Sequence, residues 1–99
     1  MSARVDAAPA RDHLRALAVC GFPLSFLADR IGTHRSGLSA IRRGERPRTS
    51  PYMAHSISRI HQELAGATPG DHGIPEGPVA WTRLIAARNG WTTTAQAAP

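Results

Sequence analysis

Residues 27–41 read LADRIGTHRSGLSAI, two runs of apolar residues at helical spacing that meet at a single glycine. Leu27, Ala28 and Ile31 form the inner face of the first run, and Leu38 and Ile41 form that of the second. Residues three or four apart share one side of a helix, so each run has one face to bury. Gly32 follows the last apolar residue of the first run, where a left-handed residue ends a helix at little cost. Ala28 is small at the point where the helices cross, which lets them meet at a sharp angle. The second helix starts at Thr33 or His34 and leaves Arg35, Ser36, Ser39, Arg42 and Arg43 outside, a face rich in hydrogen-bond donors. Gly37 lies within it and costs it about 1 kcal/mol relative to alanine.

Two short helices joined by a tight turn, the second polar on its outer side, can enter a DNA major groove. The stretch resembles the helix-turn-helix of the Cro and phage-repressor (XRE-like) family of DNA-binding proteins. The small residue at Ala28, the turn at Gly32 and the aliphatics Leu27, Ile31, Leu38 and Ile41 fall on that family's pattern, and Arg42-Arg43-Gly44-Glu45 resembles its usual ending. The likeness runs from about Leu14 to Leu64. Where the family usually has valine and serine, this chain has Thr33 and His34, and Thr33 becomes the expected cap. The resemblance implies an all-α fold, a lambda-repressor-like bundle of four to five helices with the helix-turn-helix at about 23–43. It also implies a sequence-specific double-stranded DNA-binding protein, a transcriptional regulator of the repressor type.

Charge follows the same map. All twelve basic residues are arginine, and the formal net charge is +5. Between Asp29 and Arg48 there are six arginines and two acids, so most of the excess lies in the helix-turn-helix and the loop after it. A basic stripe on one element is the footprint of a polyanion binder. Guanidinium also matches phosphate and guanine edges in bidentate fashion better than ammonium does. In a helix-turn-helix the first residues of the second helix reach base edges while flanking groups hold phosphates. Arg35, Ser36 and Ser39 are therefore the expected base readers. Ser25, Thr33, His34, Arg42, Arg43, Arg46 and Arg48 are the expected phosphate contacts. About five arginines on phosphates would give a log–log salt slope near −4.5 per subunit. One such module binds weakly, so a homodimer on a palindrome is expected.

The rest of the chain divides around this unit. Ninety-nine residues make one domain. Residues 1–8 are small and polar and are expected to be disordered; 9–65 form the DNA-binding domain. Within it, helices are expected from Pro9 or Ala10 to Cys20, over 23–31, over 34–43 and over 51–65. Phe22 plugs the core, and Ser50-Pro51 opens the last of these helices as cap and first residue. Met53, Ile57, Ile60 and Leu64 line one side of it. Residues 66–78, GATPGDHGIPEGP, hold four glycines and three prolines and read as a linker or crossing loop. A C-terminal helix is expected within 79–91, with Trp81, Leu84 and Ile85 on one side and Gly90-Trp91 as a cap with an apolar contact back. That helix either completes the core or offers Trp81, Leu84, Ile85 and Trp91 to a dimer or partner. Residues 92–99 are expected to be a disordered tail, and no strand is expected.

Other functions have less to stand on. The five histidines lack metal-ligand spacing, and there is no His-Glu-x-x-His, Cys-x-x-Cys or glycine-rich phosphate loop. No enzyme, metal or cofactor is expected. Cys20 is the single cysteine and reads as a free thiol in an apolar setting. No apolar run suits a signal peptide or a membrane span, so a cytoplasmic, nucleoid-associated protein is expected. The competing reading is a helical protein-interaction module, an accessory factor for an antitoxin, polymerase or recombinase system, with Trp81 and Trp91 as anchors.

Overall fold

Leu14, Leu17, Leu27, Leu38, Ile57 and Leu64 are at most 2% exposed, and they come from four different helices. The computed structural model describes residues 3–92. Among these, α1 (Ala8–Val19), α2 (Leu24–Ile31), α3 (Arg35–Arg43) and α4 (Pro51–Leu64) surround one apolar cluster, and α5 (Glu76–Arg88) lies against α1. The protein is an all-α bundle, as the apolar spacing requires. Fully burying one Leu or Ile side chain stabilises by about 1.5–3 kcal/mol, and with few aromatics the core depends on these aliphatics. Phe22, at the α1–α2 turn, is fully buried at the centre, as expected of a plug.

The helix ends follow from local chemistry. The Ser50 hydroxyl accepts a hydrogen bond from the Met53 N–H at 3.1 Å, and Pro51 follows in the first turn, so α4 begins where serine and proline predict. Met53 itself is only partly buried; Ile57, Ile60 and Leu64 carry the inner face. Gly21 has φ +94° and stands where α5 comes closest: a Cβ there would lie 2.7 Å from Val79 Cγ1. Only glycine allows both that backbone and that approach.

Some sequence expectations are corrected. Residues 1–8 are not loose throughout and a strand pair exists: β1 (Val5–Asp6) pairs antiparallel with β2 (Arg48–Thr49), Val5 opposite Thr49. The Ala7 N–H donates to Pro47 O at 2.9 Å, and Ala7 is buried, so the N-terminal segment is fastened to the loop after α3. Residues 66–78 are not a bare linker. They contain a 3₁₀ turn (Pro69–His72) with Pro69 buried and Ile74 packed on the core, while the His72 ring meets Phe22 and Phe26 edge-on at 6.0 and 5.8 Å.

The sequence left open whether α5 completes the core or turns outward. Its buried residues are Val79, Thr82 and Ala86, and the side carrying Trp81, Leu84 and Ile85 is not the buried one. Trp81 is 59% and Leu84 45% exposed, and Ile85 is half-buried. The helix runs back along α1, with Val79 at the Gly21 turn and Trp91 beside Arg15. It closes as expected: Gly90 is left-handed, and the Trp91 N–H donates to Ala86 O at 2.9 Å. The expected tail falls outside the described residues beyond Thr92.

Candidate nucleic-acid interface

The turn between α2 and α3 is set by Gly32, whose φ of +85° ends α2. A Cβ there would meet nothing within 4 Å, so the need for glycine is conformational rather than steric. The Gly32 and Thr33 N–H groups both donate to Ala28 O, at 2.8 and 3.0 Å, closing the helix. His34, extended at φ −91° and ψ 140°, is the N-cap of α3 and makes no side-chain capping bond. Thr33 is therefore not the cap. The two-way register of the sequence resolves to a helix whose first residue is Arg35.

Leu38 and Ile41 turn into the core, which leaves the opposite side of α3 open. Arg35 and Ser36 are exposed, and Ser39 is partly so. With His34, Arg42, Arg43 and Leu24 of α2 they line one open groove of about 540 Å³. The structure thus brings all three expected base readers to one surface. Ser25, in the first turn of α2, is exposed nearby.

The arginines divide into free and engaged groups. Arg43 Nε and Nη2 donate to Glu45 Oε2 and Oε1 at 2.8 and 2.9 Å, and Nη1 donates to Ser39 Oγ. The hydrogen bonds to Glu45 raise the Arg43 pKa and lower that of Glu45. Arg43 therefore holds the Ser39 hydroxyl in place and is itself paired with the Glu45 carboxylate. Arg42 differs from its expected role as a free phosphate contact. Its guanidinium carbon lies 5.0 Å from the Trp91 ring centre, its Nε is buried without a hydrogen-bond partner, and burial followed by repulsion from Arg43 and Arg15 pushes its pKa down to about 10. It stays charged at neutral pH but is tied to the bundle.

Arg35, Arg46 and Arg48 are exposed, and no ion pair holds them among the described residues. Arg46 borders a hollow of about 200 Å³ with Arg11, Gly44 and Pro47, beside the strand pair. Because β2 is hydrogen-bonded to β1, the loop carrying Arg46 and Arg48 has a fixed path.

Trp81 and Leu84 are open to solvent, but Trp91 lies beneath two guanidinium groups and is no free anchor. The sequence expected an apolar contact at Trp91, whereas the contacts its ring makes are with the guanidinium groups of Arg15 and Arg42. Arg15 and Arg42 belong to helices far apart along the chain, and no local spacing announces their meeting. The described residues contain no group of three or more His, Cys, Asp or Glu able to hold a metal ion, and none of their helices is long and apolar enough to cross a membrane. No known family model matches the chain, and no curated protein or solved structure is significantly similar to it.

Proposed function

We propose that this protein binds double-stranded DNA sequence-specifically, reading the major groove with α3, and acts as a homodimeric, repressor-type transcriptional regulator. The observation that carries the reading is the pose of α3: Leu38 and Ile41 hold it from beneath while Arg35, Ser36 and Ser39 stay accessible on a groove whose lining has three arginines and no acid. Arg35 is the guanine reader, since arginine to O6 and N7 is the commonest specific contact. Ser36 and Ser39 add short hydroxyl contacts. Arg46 and Arg48 hold phosphates from the fastened loop, with Ser25, Thr33 and His34 at the helix starts. The protein-module reading loses one of its two anchors, because Trp91 is engaged within the bundle.

Random-site selection with purified protein, followed by gel-shift titration, tests this. The expected result is an enriched palindrome with two equal halves and a dimer mass by light scattering. Arg35→Ala should weaken binding to the best site by about tenfold or more and relax one base preference. Recovery of no enriched sequence, together with equal binding by wild type and Arg35→Ala, would overturn the proposal.

A further inference from the structure

Next to the α3 groove is a second one, of about 410 Å³, with Trp81 on its rim. Its walls come from the first turn of α2 at Leu24 and Ser25, from Arg35 and Arg42 of α3, and from one side of α5 at Pro78 and Trp81. Leu24, Arg35 and Arg42 line both grooves, so the two are continuous. A duplex laid along α3 would run directly into the second groove. The indole there is 59% exposed, the most exposed large apolar surface on α5. An exposed tryptophan beside an apolar and polar mixture is a common anchor of an interface.

We infer that α5 extends the DNA interface, with the Trp81 indole packing against a deoxyribose of the duplex backbone flanking the bases read by α3, and Ser25 facing the neighbouring phosphate. This rests on the DNA-binding reading above. Charge selects the occupant. The lining includes two arginines and no acid, which suits a polyanion. A second copy docked here by a two-fold axis would bring Arg35 and Arg42 of both copies together, and like charges across an interface oppose association. An apolar peptide would leave the exposed Arg35 guanidinium without a partner. A sugar–phosphate strand satisfies both halves of the surface: the flat indole covers the sugar while the positive charge of the lining favours the phosphates. Trp81 is thus assigned a backbone role that adds affinity for every sequence, distinct from the base preference of Arg35.

The test uses the full chain and the duplex recovered by random-site selection, whole and trimmed on its flank. Trp81→Ala should bind the whole duplex about tenfold more weakly than wild type, and Trp81→Phe should keep most of the affinity. Trimming the flank should weaken wild type by a similar factor and leave Trp81→Ala nearly unchanged. Duplex should quench wild-type tryptophan emission, and Trp81→Phe should lose most of that quenching. Circular dichroism should show Trp81→Ala folded, as its exposure implies. Wild-type affinity in Trp81→Ala beside weak binding by Arg35→Ala overturns this inference alone. A dimer that falls apart on Trp81→Ala without DNA present also overturns it and assigns the surface to the second copy. A wild-type protein that binds no duplex overturns the functional reading itself.

Discussion

The guanidinium carbon of Arg42 lies 5.0 Å from the centre of the Trp91 ring, and that of Arg15 lies 5.2 Å from the same ring. Arg15 Nε also donates to the Arg42 carbonyl at 2.7 Å. One indole at the end of α5 therefore joins α1 to the last turn of α3. A cation over an aromatic face is favourable through the ring quadrupole, more so when water is excluded. Arg42 is half-buried, and this contact offsets part of the cost of desolvating it.

Trp91→Ala is accordingly expected to destabilise the protein by about 2 kcal/mol, combining lost cation–π attraction with lost packing. Trp91→Phe should recover a substantial part. Urea unfolding followed by circular dichroism measures both. An alanine variant as stable as wild type would mean that the contact carries no net energy.

Two glycines of the helix-turn-helix should respond in opposite directions. Gly37 lies inside α3 without a positive φ, and a Cβ there meets nothing within 4 Å. Gly37→Ala should stabilise by about 0.5–1 kcal/mol, through higher helix propensity and a less flexible unfolded chain. Gly32 has the same free space but a φ of +85°. Gly32→Ala should destabilise by about 1 kcal/mol from backbone conformation alone. Melting temperatures of the two variants moving the same way would refute the distinction.

The helix-turn-helix was readable because its determinants are local. Leu27, Ile31, Leu38 and Ile41 mark inner faces by spacing, Gly32 marks the turn, and Ser50-Pro51 marks a start. The errors arose where a residue's setting depends on distant chain. Val5 and Thr49 pair across the whole helix-turn-helix, and nothing in either two-residue segment signals a strand. Spacing grouped Trp81, Leu84 and Ile85 on one side of α5 but left open whether that side faces the core or a partner. The inner side is that of Val79, Thr82 and Ala86, with Val79 packed close to Gly21. Arg42 read as a solvent-facing cation because the ring that covers it belongs to another helix.

The division of arginines changes the expected salt dependence. With Arg42 tied to Trp91, Arg43 paired with Glu45 and Arg35 assigned to a base, the arginines left to meet phosphates in the proposed complex are Arg46 and Arg48. Each neutralised phosphate contributes about −0.9 to the log–log slope, so about −1.8 per subunit is expected from them rather than −4.5. Arg46→Ala should make the slope shallower by about 0.9 and weaken all sequences alike. Arg42→Ala should change the slope less and lower the melting temperature more. Gel shifts across a salt series, with matched melting curves, separate the two roles; equal slope changes for both variants would show Arg42 to be as free as Arg46.

Acid should weaken the fold through a histidine pair between α1 and α4. The rings of His13 and His61 stack with centroids 4.3 Å apart and planes 18° from parallel. His13 Nδ1 is buried with no hydrogen-bond partner. Burial, and then repulsion from His13, lower the pKa of His61 below its ordinary value of about 6.5. Above that value His61 is neutral in both folded and unfolded chains, and the stack carries no proton penalty. As pH falls below about 6.5 the unfolded chain takes up the proton first, so stability declines until the folded form is protonated as well. Urea midpoints measured from neutral pH downward should therefore fall through this window. His61→Gln should reduce the fall, since glutamine does not titrate there. A midpoint that rose on acidification, or a decline of equal size in His61→Gln, would show that the pair does not control the acid response.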